Sequence, residues 1–179
     1  MMSSATSRRN ITMADDIHPL LRVKPAVRLE HLRFNKLNFD YFKDSKGIHP
    51  FISKALRLFF PIMFVPYVLG AEVAYFRTRR FRRRRYFVRL GEQTVGIFAL
   101  HEKPDALYVS SLAVAPEYRK HGIAGHMLLH SARIARQLKK TRLELTVLKT
   151  NAPALRLYRE FGFTLKEERK WSFILAKTL

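Results

Sequence analysis

Residues 112–128, LAVAPEYRKHGIAGHML, contain the junction that decides the fold. The pattern predicts the end of a strand, a short turn, and a helix that begins near Gly122. Such a junction leaves the first N–H groups of the helix without carbonyl partners, which favours a bound anion. Arg119 and Lys120 add positive charge, and Gly122 lets a ligand approach the backbone closely. The stretch therefore predicts a phosphate-binding turn.

A second informative stretch is NAPALRLYREFGF, residues 151–163. It predicts a helix that Asn151 caps and that ends before Gly162. Tyr158 lies in this helix. Considered alone, Tyr158 could be a core aromatic on the inner face of this helix.

Together the two stretches resemble the acetyl-CoA-binding motifs of the GNAT superfamily, the Gcn5-related N-acetyltransferases. The first is similar to the family pattern Arg/Gln-x-x-Gly-x-Gly/Ala, and the second to Asn-x-x-Ala-x-x-x-Tyr-x-x-x-Gly-Phe. The matching residues are Arg119, Gly122 and Ala124, followed by Asn151, Ala154, Tyr158, Gly162 and Phe163. The close resemblance covers residues 107–163.

The resemblance implies acetyl-CoA as the acetyl donor. The turn would hold the pyrophosphate of CoA, and the strand before it would pair with the pantetheine arm, which implies a bulge that splays this strand from the strand at 143–148. Asn151 would contact the arm near the thioester, and Tyr158 would protonate the departing thiolate. The implied cofactor-binding residues are Leu112, Ala113, Val114, Arg119, Lys120, His121, Gly122, Ile123, Ala124, Gly125, Asn151 and Tyr158.

The resemblance also implies direct transfer to an amine without a covalent enzyme intermediate, which agrees with the absence of cysteine. The resemblance does not identify a general base, because the positions where many family members carry glutamate are aligned with Ser110, Ser111 and Thr146, none of which is a carboxylate. Three alternatives stay open. His101 could act near the acceptor, Glu144 could act from the neighbouring strand, or the enzyme could have no dedicated base and use an amine of low pKa.

The fold class predicted is α/β of the α+β type, with a GNAT fold. Residues 86–90, 94–102 and 106–114 predict an antiparallel meander, and residues 122–140 predict a helix. A strand at 143–148 follows this helix and should run parallel to the strand before it. Two short strands are expected at 163–165 and 171–176. The result is a mixed, mostly antiparallel sheet flanked by helices and splayed between the strands at 107–114 and 143–148.

Residues 1–25 predict a disordered tail, because they are rich in Ser and Thr and have little periodicity. Residues 26–179 then form a single GNAT domain, beginning with a strand at 27–34. The segment at 35–85 matches the family only in length and apolar character. It would contribute divergent helices on the substrate side.

Residues 58–71 form an uncharged run that contains Pro61, Pro66 and Gly70. The run is shorter than a membrane span of about 20 residues, so it favours a buried or interfacial helix pair. The next residues, Arg77 to Arg85, include seven arginines. Such a run is either a solvated helix end or loop, or a surface that binds an anionic membrane or nucleic acid. The second alternative defines another function, a catalytically weak GNAT scaffold that binds such partners through residues 51–89.

The chain of 179 residues has 34 Lys and Arg against 14 Asp and Glu, a net charge of +20. Because the chain lacks cysteine, thiolate nucleophiles, disulfides and Cys-ligated metal sites are excluded. No metal site is expected, although His126 and His130 are one helical turn apart. The charge favours an acidic or neutral amine acceptor, such as a protein N-terminus or a small amine, over a polycation. We expect a cytoplasmic protein, compatible with peripheral membrane association and with a homodimer.

Overall fold

A computed structural model describes residues 21–26, 30–42 and 83–179 of the chain. Its described part contains a seven-stranded sheet with the strand order β1-β2-β3-β4-β5-β7-β6. The strands are β1 Leu21–Pro25, β2 Arg83–Leu90, β3 Gln93–Glu102, β4 Ala106–Val114, β5 Arg142–Leu148, β6 Thr164–Glu168 and β7 Ser172–Thr178. The α-helices are α1 His31–Phe42, α2 Ile123–Gln137 and α3 Ala152–Glu160.

The fork between β4 and β5 is the main topological feature. These two strands pair in parallel, whereas the other strand pairs are antiparallel. Their pairing begins at Ala106 with Arg142 and stops at Val109 with Leu145. Beyond that point β4 continues alongside β3 alone. The predicted splay is therefore confirmed, and we call the point just beyond Val109 the fork.

A bulge in β4 accompanies the fork. The register between β3 and β4 shifts between Ile97 and Ala99, so that β4 carries an extra residue opposite β3. Ser111, within this bulge, has a φ of 52°, which is the left-handed region that non-glycine residues rarely adopt. The bulge changes the direction of the end of β4, as the resemblance implied.

The two faces of the sheet bury different sets of residues. The larger core includes Phe98, Leu107 and Leu145 and packs against α2. On the opposite face α1 contributes Phe34, which is 0% exposed and meets Phe87 edge-on at 5.8 Å between ring centroids. Because side chains alternate along a strand, each of β2 to β5 contributes to both faces.

The N-terminal expectations need correction. Residues 21–25 are not part of a tail but form β1, which pairs with β2. Leu21 and Val23 pack against the larger core while the charged residues between and after them face solvent, which is the alternation of a strand. Residues 31–34, expected in a strand, lie in α1. The apolar spacing that decides this segment is the helical one between Phe34 and Leu37, both packed in the smaller core.

The last three residues of the arginine run form neither a helix end nor a loop. Arg83, Arg84 and Arg85 begin β2, and Arg85 is only 4% exposed. The remainder of the run and the apolar residues 58–71 lie outside the described residues. Among the helices that the structure describes, none is long and apolar enough to cross a membrane.

Glu144 is a buried carboxylate that joins three parts of the chain. It is 1% exposed, and its oxygens contact Lys103 Nζ at 2.6 Å, Arg142 Nε at 2.9 Å and Lys166 Nζ at 2.5 Å. Burial by itself raises the pKa of Glu144, but the hydrogen bonds from Lys103, Lys166 and Arg142 lower it to about 2. We call these four residues the Glu144 clamp, because they tie β5 to β6 and to the turn between β3 and β4.

We predict that Glu144→Gln lowers the free energy of unfolding at pH 7 by about 3 kcal/mol, since it leaves three cations around a neutral amide. The depressed pKa stabilises the native protein above the ordinary carboxyl pKa of about 4.3, and this stabilisation is lost as the pH falls towards 2. Denaturant unfolding at several pH values measures both effects. Glu168→Gln is the control, because its pair with Lys149 is exposed. Equal stability of the two variants at pH 7 would contradict the prediction.

Candidate active site

The turn between β4 and α2 leaves its backbone N–H groups available. Residues Pro116–Tyr118 form one turn of 3-10 helix, and Gly122 precedes α2 with a φ of 75°. No side chain caps this helix. Its first N–H groups have no carbonyl one turn earlier, so a ligand or water must satisfy them. Gly122 adopts the left-handed conformation at little cost, which explains the glycine at this position.

Cationic side chains border the same turn. Arg119 and Lys120 are exposed, and Lys120 also has a positive φ, of 67°. Arg119 Nε donates a hydrogen bond to the carbonyl of Val114 at 3.2 Å, which holds the guanidinium near the end of β4. Exposed His121 and the buried Ile123 flank Gly122. The turn can therefore bind a phosphate group through backbone N–H groups and fixed positive charge.

The end of β4 leads from this turn to the fork. Ala113 and Val114 pair with Ile97 and Gly96 on β3, but neither pairs with β5. The edge of β4 that faces β5 thus has no strand partner past Val109. An amide-containing ligand could bind along that edge as a strand would.

α3 places Asn151 and Tyr158 at the two ends of one helix. Asn151 Oδ1 accepts a hydrogen bond from Ala154 N at 3.3 Å, so the side chain caps the helix as predicted. Tyr158 is 7% exposed, belongs to the core on the α2 face, and meets Phe163 edge-on at 5.8 Å. Burial, with a smaller contribution from Tyr108, raises the pKa of Tyr158 to about 12. The phenol therefore keeps its proton at physiological pH, as a proton donor must.

His101 lies on the other face of the sheet, at the end of β3. Its Nε2 is 2.7 Å from Ser110 Oγ, and its ring meets that of Tyr108 edge-on at 6.0 Å. Burial lowers the pKa of His101 to about 4, helped by the positive charges of Arg83, Arg85 and Lys103. The imidazole is consequently neutral at physiological pH and has a nitrogen lone pair available.

The two candidate bases differ in their surroundings. Glu144 shares a sheet face with Tyr108, its partner in the β4–β5 register, but its oxygens are engaged by the clamp. A carboxylate held this strongly in its charged form is a poor proton acceptor. Tyr108 donates to Thr146 Oγ1 at 2.8 Å. On this face only His101 combines a neutral imidazole with a hydroxyl partner at the fork, among the residues that the structure describes.

Sequence reasoning missed Tyr108 and Lys103. Tyr108, in the paired part of β4, donates to Thr146, the first residue of β5 beyond that part. Lys103 lies 4.6 Å from the centre of the Tyr108 ring and also binds Glu144. The alternation of polar residues 108 and 110 with apolar neighbours signals a polar face at the end of β4. The register with β3, which brings His101 beside these residues, has no signal in the local sequence.

His130, in α2, contacts aromatic rings. Its ring packs edge-on against Tyr86 and Phe98, at 5.7 and 6.0 Å between ring centroids. In the part of the chain that the structure describes, no three His, Asp or Glu residues are grouped to hold a metal ion.

Solved structures share this fold at low sequence identity. The PaiA N-acetyltransferase of Thermoplasma acidophilum in complex with coenzyme A has a TM-score of 0.69 and 16% identity, covering 89% of this chain and 99% of its own. An Elizabethkingia anophelis GNAT acetyltransferase with acetyl-CoA bound has a TM-score of 0.61 and 14% identity, covering 90% and 100%. The ribosomal-protein-S18-alanine N-acetyltransferase of Escherichia coli has a TM-score of 0.60 and 15% identity, covering 88% and 93%.

No curated protein matches the chain in sequence. The model of the acetyltransferase (GNAT) family matches residues 50–163, which is more than half of the chain. This match includes the turn between β4 and α2, the fork and Tyr158. The chain therefore belongs to the GNAT family of acetyltransferases.

Proposed function

We propose that the protein transfers the acetyl group of acetyl-CoA directly to the amine of a protein N-terminus or of a small molecule. The observation that carries this proposal is the fork between β4 and β5. The uncapped N-terminus of α2 follows the end of β4. Tyr158 belongs to the core that also contains residues of β5. CoA and acetyl-CoA are bound in the solved structures of similar proteins.

The donor would lie along the branch formed by β4. The N–H groups of the turn would bind the pyrophosphate, with Arg119 and Lys120 opposing its charge. Leu112, Ala113 and Val114 would offer the unpaired edge of β4 to the amide groups of the pantetheine arm. In this proposal, all the cofactor-binding residues expected from the resemblance retain their roles. Asn151 would lie near the thioester end of the arm, while its Oδ1 caps α3.

Two proton movements accompany the transfer. The amine attacks the carbonyl carbon of the thioester, the C–N bond forms, and the C–S bond breaks as CoA leaves. The amine must lose a proton, and the departing thiolate must gain one. Tyr158 would supply the second proton, because its raised pKa keeps the phenol protonated until the thiolate develops.

The charges on the His101 face favour an acceptor without excess positive charge. Arg83, Arg85 and Lys103 all lie close enough to His101 to lower its pKa. The same field would oppose the approach of a polycation and attract an acceptor that carries carboxylate or phosphate groups. A protein N-terminus followed by acidic residues fits this field.

We expect Tyr158→Phe to lower kcat about 100-fold or more and to leave the KM for acetyl-CoA within a few-fold of wild type, because only proton donation is removed. Release of free CoA thiol, with a panel of peptide and small-amine acceptors, measures both constants. Tyr86→Phe is the matched control, since Tyr86 is another buried tyrosine but packs on Phe98 in the sheet. Unchanged kcat in Tyr158→Phe would contradict the role of Tyr158, and absence of CoA release from wild type with every acceptor would contradict the function.

We also expect peptides with acidic residues after the N-terminal amine to be acetylated with a kcat/KM about 10-fold above that of matched lysine-containing peptides. The difference should shrink as the salt concentration rises from about 0.05 M to about 0.5 M, because ions screen the field. Neutral peptides of the same length serve as the reference. Faster acetylation of the basic peptides would overturn the predicted acceptor class.

A further inference from the structure

Ser110 occupies the position where the fork opens. Val109 forms the last pair with β5, at Leu145, so Ser110 is the first residue of β4 beyond the paired part. It precedes Ser111, whose positive φ marks the bulge. Ser110 is thus held on one side by β3, through its pairing with Ala99, and faces the open fork on the other.

The hydroxyl of Ser110 is tied to His101. The Oγ–Nε2 distance is 2.7 Å, a normal length for a hydrogen bond that involves a hydroxyl group. His101 lies opposite Tyr108 in the register, so its contact with Ser110 is a diagonal one that reaches two residues towards the fork. The imidazole itself lies farther from the fork than the hydroxyl does. The hydrogen bond to Ser110 therefore offers a direct route for a proton from the fork to His101.

The charges around this pair favour a neutral imidazole. In addition to burial, three cations lower the pKa of His101: Arg83 and Arg85 on β2, and Lys103 in the turn between β3 and β4. A neutral imidazole whose Nδ1 carries the proton presents the Nε2 lone pair to Ser110, which then donates its O–H. This arrangement leaves the oxygen lone pairs of Ser110 free to accept a proton from a group in the fork.

Other groups at the fork are committed elsewhere. Thr146 Oγ1 accepts the hydrogen bond of Tyr108, and Glu144 is held by the clamp. Once an amine nitrogen has bonded to the acyl carbon it carries positive charge, so its proton leaves readily and a weak base suffices.

We propose that Ser110 is a catalytic residue that takes the proton of the acceptor amine while passing its own proton to His101. The amine N–H bond breaks, the O–H bond of Ser110 is replaced, and an Nε2–H bond forms on His101. The imidazolium then loses a proton to solvent, favoured by the surrounding cations. The inference rests on the proposed function. In it, His101 acts through Ser110 and is a positioning and relay residue.

The test compares Ser110→Ala, Ser110→Thr, His101→Ala and the double alanine variant in the CoA-release assay. Ser110→Ala and His101→Ala should each lower kcat about 100-fold with little change in the KM for acetyl-CoA. The double variant should be no slower than either single variant, because the two residues act as one unit. Ser110→Thr keeps the hydroxyl and should recover most of the lost rate.

Added imidazole separates a relay from a structural role. It should raise the activity of His101→Ala at least several-fold and leave the double variant unchanged, because the hydroxyl that would deliver the proton is missing there. Ser131→Ala is the matched control. Its Oγ donates to the carbonyl of Met127 within α2, so its loss should affect stability and not kcat.

Wild-type kcat in Ser110→Ala, or equal imidazole rescue of the single and double variants, would overturn the relay while leaving the proposed function intact. If wild type releases no CoA with any acceptor, the proposed function and the relay both fail.

Discussion

The separation of β4 from β5 is the constraint on which the rest of this structure depends. Two parallel strands that part after a few residues give up ladder hydrogen bonds that an ordinary sheet would keep. The bulge at Ser111 turns the end of β4, and pairing with β3 satisfies its other edge. Just before the fork, the Glu144 clamp ties β5 to its surroundings through Lys103 and Lys166. The strands are thus joined firmly where they pair, and the opening is confined to their ends.

In the proposed mechanism, the two proton transfers would occur on opposite faces of the sheet. Tyr158 belongs to the core on the α2 face, where burial raises its pKa and preserves the phenol. His101 and Ser110 lie on the opposite face, where burial and nearby cations keep the imidazole neutral. In a continuous sheet the backbone would lie between Tyr158 on one face and Ser110 on the other. At the fork the two strands are apart, so a proton donor on one face and a proton acceptor on the other would be able to act on the same reaction centre.

Local sequence patterns were enough to predict the elements from residue 86 onward, because their turns and apolar periods are regular. Short motifs also singled out the turn before α2, where Gly122 has a positive φ, and Tyr158, which is buried in α3. Such patterns do not place β1 and α1 correctly, because each has only a few apolar residues and their spacing agrees with more than one structure. The state of Glu144 could not be predicted, because Lys103, Arg142 and Lys166 come from three places in the chain. The contact of His101 with Ser110 likewise depends on strand register, which the bulge shifts.

The high positive charge of the chain has a definite consequence at the site. Glu144 neutralises part of the charge of Lys103, but Arg83, Arg85 and Lys103 still lower the pKa of His101. The same field that keeps the imidazole neutral would repel a polycationic acceptor, so base and acceptor preference share one physical cause. Removing the positive charge would make His101 a stronger base but also a more fully protonated one near neutral pH. In the proposed function, the charge around this face would therefore help to select the acceptor, whereas Arg119 and Lys120 would oppose the charge of CoA.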